Sequence, residues 1–324
     1  MAVESRWSAL ASALGPGIRH QVALAPYTSM RVGGPADLLI VVESAEELAR
    51  AVILARQQRV PWRVLGGGCN VLISDRGLRG LVIINRAASV SLQNRVVEAE
   101  SGAKLATVAE RAVNGGLVGL AWAAGLPGTV GGAIVGNAGA YGGDVAGVLR
   151  TALVLEPDGE VRERPSTWFQ FRYRESRLKG VDGTGRERAQ TRCRGSGALE
   201  PADWVILKAT LGLEVGDALS LRAKADEIIE RRRAAHPHGA TMGCTFKNPA
   251  GDHAGRLIEQ AGLKGHRVGG AQISEQHGNF FINVGGARAE DVRNLIQHAQ
   301  AEVARRLGVR LELEIELLGW QDTE

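Results

Sequence analysis

"GLPGTVGGAIVGNAGAYGG", the stretch from Gly125 to Gly143, is the part of the sequence that decides the fold. It contains two Gly-Gly pairs, a Pro-Gly and an Asn-Ala-Gly, which is too much glycine for one regular helix or strand. So few side chains cannot fill a core, and clustered glycine lets the backbone approach another molecule closely. The stretch therefore predicts a binding site for a large planar cofactor.

Two more glycine-rich segments lie in the same half of the chain. "RVGGPADL" spans residues 31–38, and "GGGCN", at residues 66–70, follows a predicted strand. The second segment has no following lysine, which excludes a Walker P-loop, and no GxGxxG follows a strand, which excludes the usual nicotinamide-binding fold. Successive glycine amides at a strand end favour a pyrophosphate, with Asn70 as an extra donor. A tight turn between strands would also explain them.

Length and composition limit the classes of protein that fit. A chain of 324 residues predicts two or three domains. Its 43 glycines are about twice the usual share. The net charge of +4 is small and the basic residues are not interleaved with aromatic ones, which argues against a nucleic-acid partner. A mild positive bias still suits small anionic substrates.

The cysteines indicate the compartment. Cys69, Cys193 and Cys244 are odd in number and widely spaced, which argues against a disulfide framework or a structural metal site and for a reducing environment. The first residues lack the pattern of a signal peptide, and no apolar run approaches the length of a membrane span. We therefore expect a cytoplasmic protein without a membrane partner.

Hydrophobic periodicity predicts the order of the elements. A buried strand at 37–44 leads into a helix with a capping box at Ser44 and Glu47, and "WRVLGGGCNVLISD" reads as one strand that is broken by the glycines and then resumes. A further helix ends at Gly115, and a hairpin turns at Asp158-Gly159. Residues 178–203, including Cys193, read as a mobile polar surface loop. The pattern changes near 214–217, so we predict domains at 1–86, 87–215 and 216–324.

Six motifs together resemble one known family. They are "TSMRVGGPAD", "GGGCNVLISD", the opening stretch, "FRYRES", "GCTFKNPAGDHAGRLIEQAGLKG" and "LELEIELLG". In order and spacing they are similar to UDP-N-acetylenolpyruvoylglucosamine reductases, the flavoenzymes that make UDP-N-acetylmuramate for bacterial cell walls. The resemblance runs from about Tyr27 to Gly319. It implies an α+β fold of the vanillyl-alcohol-oxidase (PCMH-like) type, with FAD bound by two subdomains and a C-terminal α/β substrate domain. It also implies NADPH as reductant and a UDP-linked enolpyruvyl sugar as substrate.

The resemblance also implies an active centre. Arg174, in "YRES", would hold the substrate carboxylate, although alone it reads as a solvated arginine. In "LELEIELL", alternation puts Glu312, Glu314 and Glu316 on one face and cannot choose among them. The closing pattern of the family, counted back from Gly319, selects Glu314.

Cys244 stands where the family usually has serine. The resemblance makes it the proton donor that completes reduction of the enol ether; the alternative is a small, inert, packed side chain. A thiol with a pKa of about 8.5 is a better acid than a hydroxyl, but it can ionise near neutral pH. We therefore expect activity to fall at high pH and Cys244 to react with alkylating agents.

The remaining site residues follow from the same match. The predicted FAD contacts are Arg31, Gly66, Gly67, Gly68, Cys69, Asn70, Gly125, Pro127, Gly128, Gly132, Asn137, Gly139 and Tyr141. The predicted substrate contacts are Lys247, Asn248 and Asn279. The family divides by a tyrosine-bearing loop over the nucleotide, and the absence of tyrosine after Tyr173 places this chain in the type without it. The run 231–233 and His238 are then candidates to hold the uridine diphosphate.

Two further expectations and two rival functions remain. We expect no catalytic or structural metal and a monomeric protein. A flavin oxidase on the same fold, acting on a sugar or alcohol, is a rival function, and a flavin-binding protein that has lost catalysis is another. The intact Arg174 and Glu314 argue against the second rival.

Overall fold

A computed structural model describes residues 2–179 and 204–320. The predicted surface loop falls outside the described residues from 180 to 203, and Cys193 lies within that part. Among the helices that are described, none is long and apolar enough to cross a membrane.

The first part of the chain builds a mixed sheet covered by helices. Its elements are α1 (Ala2–Leu14), β1 (Arg19–Ala23), β2 (Pro35–Val42), α2 (Ala45–Gln57), β3 (Trp62–Leu65), β4 (Val71–Ile73) and β5 (Leu78–Asn85). The sheet has the order β1-β2-β5-β3, with β2, β5 and β3 parallel and β1 antiparallel. Ser44 caps α2 by accepting a hydrogen bond from the Glu47 N–H, as its sequence predicted. The α2 stripe of Leu48, Ala51, Val52 and Ala55 is buried in the core.

The second part builds an antiparallel sheet that carries the opening stretch. Its elements are β6 (Val90–Gln93), β7 (Val96–Glu100), α3 (Leu105–Asn114), β8 (Leu117–Val118), α4 (Val130–Val135), β9 (Gly139–Ala140), β10 (Gly143–Asp144), β11 (Leu149–Leu155), β12 (Val161–Pro165), β13 (Val205–Gly212) and β14 (Glu214–Val215). The main sheet has the order β12-β11-β13-β7-β6. The hairpin at Asp158-Gly159 joins β11 and β12, and Gly159 has the positive φ that this turn requires. The opening stretch becomes a loop, the short helix α4 and the small hairpin β9–β10.

The third part begins with a long helix and adds a second antiparallel sheet. Its elements are α5 (Ala218–Ala235), β15 (Ala240–Cys244), α6 (Ala254–Gln260), β16 (Arg267–Val268), β17 (Ala271–Ile273), β18 (Phe280–Asn283), α7 (Ala289–Leu307) and β19 (Glu316–Leu318). The sheet has the order β15-β18-β17-β16, and α7 packs on β16 and β17. Asp217 caps α5 by accepting a hydrogen bond from the Ser220 N–H.

The strand predicted on both sides of the glycines is two strands in two sheets. β3 joins the first sheet, whereas β4 leaves it and pairs in parallel with β19 at the end of the chain. Leu72 of β4, with Met30 and Val32, packs into the core built by α6 and α7. The glycines therefore turn the chain from one layer to another, because a residue without a side chain tolerates the sharp change of direction.

The closing "LELEIELLG" departs from strict alternation. The chain bends at Glu314 and Ile315, and only Glu316–Leu318 forms a strand. Leu311, Ile315 and Leu318 are buried, while Leu313 and Leu317 are half-buried. Leu311 and Ile315 belong to the core of α6 and α7, and Leu313 and Leu317 pack against the same core, so the predicted apolar face is confirmed. The regular pleat is interrupted because contacts from other segments hold the Glu314 peptide.

Candidate active site

Cys244 ends β15, where the chain crosses from the sheet to the interior. It lies opposite Phe280 of β18, and the next peptides are fixed by Asn279. The Asn279 amide donates to the Phe246 carbonyl at 2.8 Å and accepts from the Phe246 N–H at 2.9 Å. Asn279 is only 2% exposed. Both polar groups of its side chain bind backbone, so Asn279 holds the Cys244 segment in place, and its amide also lies beside the Cys244 thiol.

Burial dominates the acidity of Cys244. It raises the pKa of the thiol to about 12, with the charge of Glu314 adding to the rise and Arg174, Asn279 and Arg232 opposing it. This pKa argues against the expected fall in activity at high pH and against ready alkylation of Cys244. The group stays protonated at physiological pH and holds a proton that it can donate.

Glu314 and Arg174 form an ion pair beside this thiol. Arg174 Nε lies 2.9 Å from Glu314 Oε1, and Arg174 Nη1 donates to the Gly139 carbonyl at 2.8 Å. Burial raises the pKa of Glu314, while Arg174, Lys179 and Lys247 lower it. Arg174 itself has a φ of 57°, in the left-handed region that a non-glycine residue seldom adopts. The strained backbone at Arg174 thus directs its guanidinium toward both the Glu314 carboxylate and the Gly139 carbonyl.

Lys247 and Asn248 follow Cys244 on the same segment. Lys247 Nζ lies 2.6 Å from Glu175 Oε1, next to Arg174, so it belongs to the charged rim of the site. Asn248 is exposed, and its side-chain oxygen accepts from the Ala254 N–H at 3.1 Å, at the start of α6. The structure brings Lys247 to the active centre and places Asn248 farther along, at the helix end.

The two glycine loops meet each other. A side chain at Gly66 would overlap Thr129 Oγ1, and a Cβ at Gly67 would lie 3.3 Å from Gly128 Cα. Gly67, Gly125, Pro127 and Gly132 are exposed along this junction. A junction of glycine backbone, partly exposed and nearly free of side chains, fits the pyrophosphate of a dinucleotide such as FAD.

Other predicted cofactor residues have different positions. Asn137 is buried and braces the β9–β10 hairpin, because its amide contacts the Arg172 carbonyl, Asp144 and the Ala146 N–H. The Asn70 side chain donates to the Glu314 carbonyl at 3.1 Å, which joins the Gly66–Asn70 loop to the C-terminal segment that carries Glu314.

Two further predicted cofactor residues, Arg31 and Cys69, differ in exposure, since Cys69 is partly buried. Arg31 is exposed, with a φ of 57°. The Cys69 thiol donates to the Gly67 carbonyl, and burial raises its pKa.

Comparison with known proteins decides the family. The model for the UDP-N-acetylenolpyruvoylglucosamine reductase C-terminal domain matches residues 233–318, and an FAD-binding domain model matches residues 36–164. A UDP-N-acetylenolpyruvoylglucosamine reductase 2 of Symbiobacterium thermophilum is 40% identical over 308 residues, which cover 94% of this chain and 93% of the relative. The chain belongs to the UDP-N-acetylenolpyruvoylglucosamine reductase family.

Further relatives agree. The reductase of Rubrobacter xylanophilus is 40% identical over 94% of this chain and 97% of its own length. The crystal structure of a UDP-N-acetylenolpyruvylglucosamine reductase from Thermus caldophilus superposes with a TM-score of 0.76 at 34% identity, covering 93% of this chain and 99% of that one. The family and the FAD-binding fold that the motifs predicted are thus confirmed.

For this member of the reductase family, the structure adds a residue that the sequence left unresolved. Arg231 and Arg233 pair with exposed glutamates on α5, whereas Arg232 faces inward and donates to the carbonyls of Trp122 and Ala124, both at 3.1 Å. Its guanidinium also lies 4.9 Å from the ring centre of Tyr141, which is 42% exposed.

The spacing of residues in α5 indicates that Arg232 faces inward. Leu221, Ala225 and Ile228 of α5 are buried, and Arg232 follows Ile228 by four residues, which puts it on the same face. Lys179 is a second residue that sequence reasoning missed: its Nζ donates to the Glu314 carbonyl at 2.8 Å. No local pattern could have revealed that contact, because its partner is 135 residues away.

Proposed function

We propose that this protein reduces the enolpyruvyl group of UDP-N-acetylglucosamine enolpyruvate to UDP-N-acetylmuramate, using FAD and NADPH, in the synthesis of peptidoglycan precursors. The observation that carries the proposal is the meeting of Arg174, Cys244 and Glu314 at the edge of the glycine stretch. Family membership supports the same reaction, since the relatives are named for it.

The chain would hold its cofactor where the two glycine loops meet, at residues 66–70 and 125–143. When bound there, FAD would supply the hydride-transfer chemistry between NADPH and the enolpyruvyl group of the substrate. The residues of this chain bind the substrate, orient it and control the charge and the proton.

Arg174 and Glu314 stabilise the negative charge on the substrate carboxylate. A guanidinium has five N–H groups, so Arg174 can contact Glu314 and Gly139 and still bind a substrate carboxylate. Burial raises the pKa of Glu314, against the opposing effect of Arg174, Lys179 and Lys247. When this carboxyl carries a proton, it can donate a hydrogen bond to an oxygen of the substrate as that carboxylate takes on enolate character.

Cys244 supplies the proton. Once the vinyl carbon has received a hydride, the neighbouring carbon holds an electron pair that is shared with the carboxylate. The Cys244 S–H bond breaks, a C–H bond forms at that carbon, and the thiolate left behind regains a proton from water. An enolate of a carboxylate is a much stronger base than a thiolate, so a pKa of about 12 does not prevent the transfer.

The test is an anaerobic experiment on the two half-reactions. The purified flavoprotein is reduced with NADPH, UDP-N-acetylglucosamine enolpyruvate is added, and flavin absorbance is followed. Rapid reoxidation is expected. Glu314→Gln should keep reduction by NADPH and slow reoxidation by about 100-fold, because an amide cannot supply the acidic O–H that stabilises the enolate form.

Glu214→Gln is the control, since Glu214 is an exposed glutamate that pairs with Arg95 at 3.2 Å, and its loss should leave both half-reactions unchanged. A reduced flavin that ignores the substrate but reacts with oxygen and simple alcohols would favour a flavin oxidase. A protein that binds no flavin would contradict the proposal at its start.

Two coarser expectations accompany this function. We propose that the enzyme acts as a monomer in the cytoplasm, where its nucleotide substrate and NADPH are found. Size-exclusion chromatography with light scattering tests the first, and cell fractionation tests the second.

A further inference from the structure

Lys179 reaches the active centre because its segment folds back on itself. Ser176 Oγ donates to the Val135 carbonyl at 2.7 Å, and the Lys179 N–H donates to the Ser176 carbonyl at 2.9 Å. The turn brings two cations of one short segment to the same residue. Arg174 contacts the carboxylate of Glu314, and Lys179 contacts its main-chain carbonyl at 2.8 Å.

The Glu314 carbonyl is a junction of three segments. It accepts hydrogen bonds from Lys179 Nζ and from Asn70 Nδ2, at 2.8 and 3.1 Å. On the other side of the residue, the Glu314 N–H donates to the Thr245 carbonyl at 2.9 Å, next to Cys244. These bonds fix the backbone from which the Glu314 carboxylate extends, at the point where the chain bends away from a regular strand.

The surroundings of Glu314 are mainly cationic. Arg174, Lys179 and Lys247 face its carboxylate, and the Cys244 thiol faces it from β15. Burial lowers the pKa of Lys179, while Glu316 and Glu314 raise it and Lys247 and Arg174 lower it further. Placing the lysine ammonium against a buried carbonyl removes water from it, which is unfavourable in free energy. The nearby glutamates offset part of this penalty.

We propose that Lys179 is a positioning residue of the reaction, which holds the Glu314 backbone against the Gly66–Asn70 loop and supplies part of the positive charge facing the Glu314 carboxylate. The inference rests on the proposed function for its catalytic meaning. Its structural content, the effect of Lys179 on Glu314, is independent of any substrate.

The first test therefore uses no substrate. The flavoprotein is labelled with ¹³C at glutamate carboxyl carbons and titrated by NMR, and Glu314→Gln identifies the Glu314 resonance. Lys179→Met removes a cation from the neighbourhood of Glu314, so the pKa of this carboxyl should rise. Lys179→Arg keeps the charge and should leave it near the wild-type value.

Lys208→Met is the matched control. Lys208 is a half-exposed lysine on β13 that pairs with Glu98 at 2.7 Å, and its loss should leave the titration of Glu314 unchanged. An unchanged Glu314 titration in Lys179→Met, or an equal shift in Lys179→Arg and Lys179→Met, would overturn the inference.

The second test separates the half-reactions. In Lys179→Met, flavin reduction by NADPH should stay within about twofold of wild type. Reoxidation by the enolpyruvyl nucleotide should slow by about 10-fold to 100-fold, because Glu314 is displaced. The basic limb of the reoxidation pH profile should move to higher pH, since the more basic carboxyl keeps its proton longer.

The outcomes distinguish the two ideas. Wild-type protein that fails to reduce the enolpyruvyl nucleotide, together with a raised Glu314 pKa in Lys179→Met, contradicts the proposed function and supports the link between Lys179 and Glu314. Active wild type with an unaffected Lys179→Met variant overturns the positioning role.

Discussion

The thiol of Cys244 lies at the end of β15, in a cluster of charged groups that includes Arg174, Arg232 and Glu314. Its acidity is set by enclosure more than by charge, because desolvation penalises the thiolate and neighbouring charges of both signs largely oppose each other. The same enclosure suits a proton donor, since the proton stays on sulfur until a strong base forms beside it. At this scale, burial determines what a cysteine can do.

The first prediction concerns the reactivity of Cys244. With a thiol pKa of about 12, the activity should show no decline from thiolate formation between about pH 7 and pH 9. Carbamidomethylation of Cys244 at neutral pH should be about 100-fold or more slower than that of free cysteine, because only the thiolate reacts. Mass spectrometry of the labelled peptide measures this rate.

Substitutions complete the test. Cys244→Ser should retain reoxidation of the flavin by substrate in measurable amount, and Cys244→Ala should lose it by about 10² to 10⁴, because no proton donor remains. Cys69→Ser removes the other described thiol and should leave this step unchanged. Rapid labelling of native Cys244 at neutral pH would contradict the prediction.

At the scale of elements, the loops that join strands position the sheets relative to one another. The Gly66–Asn70 loop connects β3 and β4, which belong to different sheets, and it packs on the loop that precedes α4. α7 is tied to the first part of the molecule, because Asp75 accepts from the N–H groups of Ala289 and Glu290 at 2.9 and 3.0 Å. These links fix the orientation of the sheets that carry Cys244 and Glu314.

The second prediction concerns the contact between the glycine loops. Gly66→Ala places a methyl group on Thr129 Oγ1, so the free energy of unfolding and the FAD content should both fall. The loss of stability should be about 1–3 kcal/mol. Combination with Thr129→Ala removes the overlapping atoms and should recover most of it.

Denaturant unfolding and flavin absorbance provide the measurements. Gly17→Ala is the control, because a Cβ at Gly17 meets no atom within 4 Å and φ there is not positive. Gly66→Ala with wild-type stability and flavin content would show that the loops do not meet in this way.

The third prediction concerns the cap on α7. Asp75→Ala leaves two N–H groups without their acceptor and removes a negative charge from the helix N-terminus. The free energy of unfolding should fall by about 1–2 kcal/mol. Asp226→Ala, an exposed residue in an i,i+4 pair on α5, should change it by less than about 0.5 kcal/mol. Equal effects of the two variants would argue against the cap.

At the scale of the whole molecule, parts that are distant in sequence share one core and one site. Leu72, Met30 and Val32 pack with the C-terminal helices, and Leu221, Ala225 and Ile228 of α5 pack with the second part. The three proposed domains therefore share hydrophobic cores, in which residues far apart in sequence pack together. Protonation of a single enclosed group then affects the stability of the entire chain.

The fourth prediction is a pH dependence of stability that comes from His236. Burial lowers its pKa to about 4, with Arg232 and His277 contributing, and its ring lies 4.6 Å from that of Phe280. In the unfolded chain the pKa of His236 is about 6.5. Between pH 6.5 and 4 the unfolded state therefore binds a proton on this ring, whereas the folded state does not. Stability should therefore fall as pH falls through this window.

The expected size is about 1–2 kcal/mol, after the shift is discounted for the exposed part of the ring. Urea unfolding at a series of pH values measures it. His236→Gln should flatten this dependence, and His238→Gln, at an exposed position, should not. An unaltered slope in His236→Gln would contradict the assignment.

Local structure was largely predictable. The helix with buried Leu105, Val108, Ala109 and Ala112 and the hairpin at Asp158-Gly159 appear as their patterns indicate, because each depends on neighbours within a few residues. The division of "WRVLGGGCNVLISD" between two sheets was not predictable, since β4 pairs with a strand at the far end of the chain. The bend at Glu314 has the same cause, because its partners Asn70, Lys179 and Thr245 lie in three other segments.

The sequence by itself determined the family and the position of the glycine loops, and its motifs led to the proposal that Arg174, Cys244 and Glu314 are the reactive groups. Residue type and ordered spacing carry that information along the chain. Only the tertiary structure decided that Arg232 faces the site, that Lys179 binds Glu314 and that the Cys244 thiol is a weak acid. These properties depend on burial and on contacts between residues far apart in the chain, and neither is fixed until the sheets have packed together.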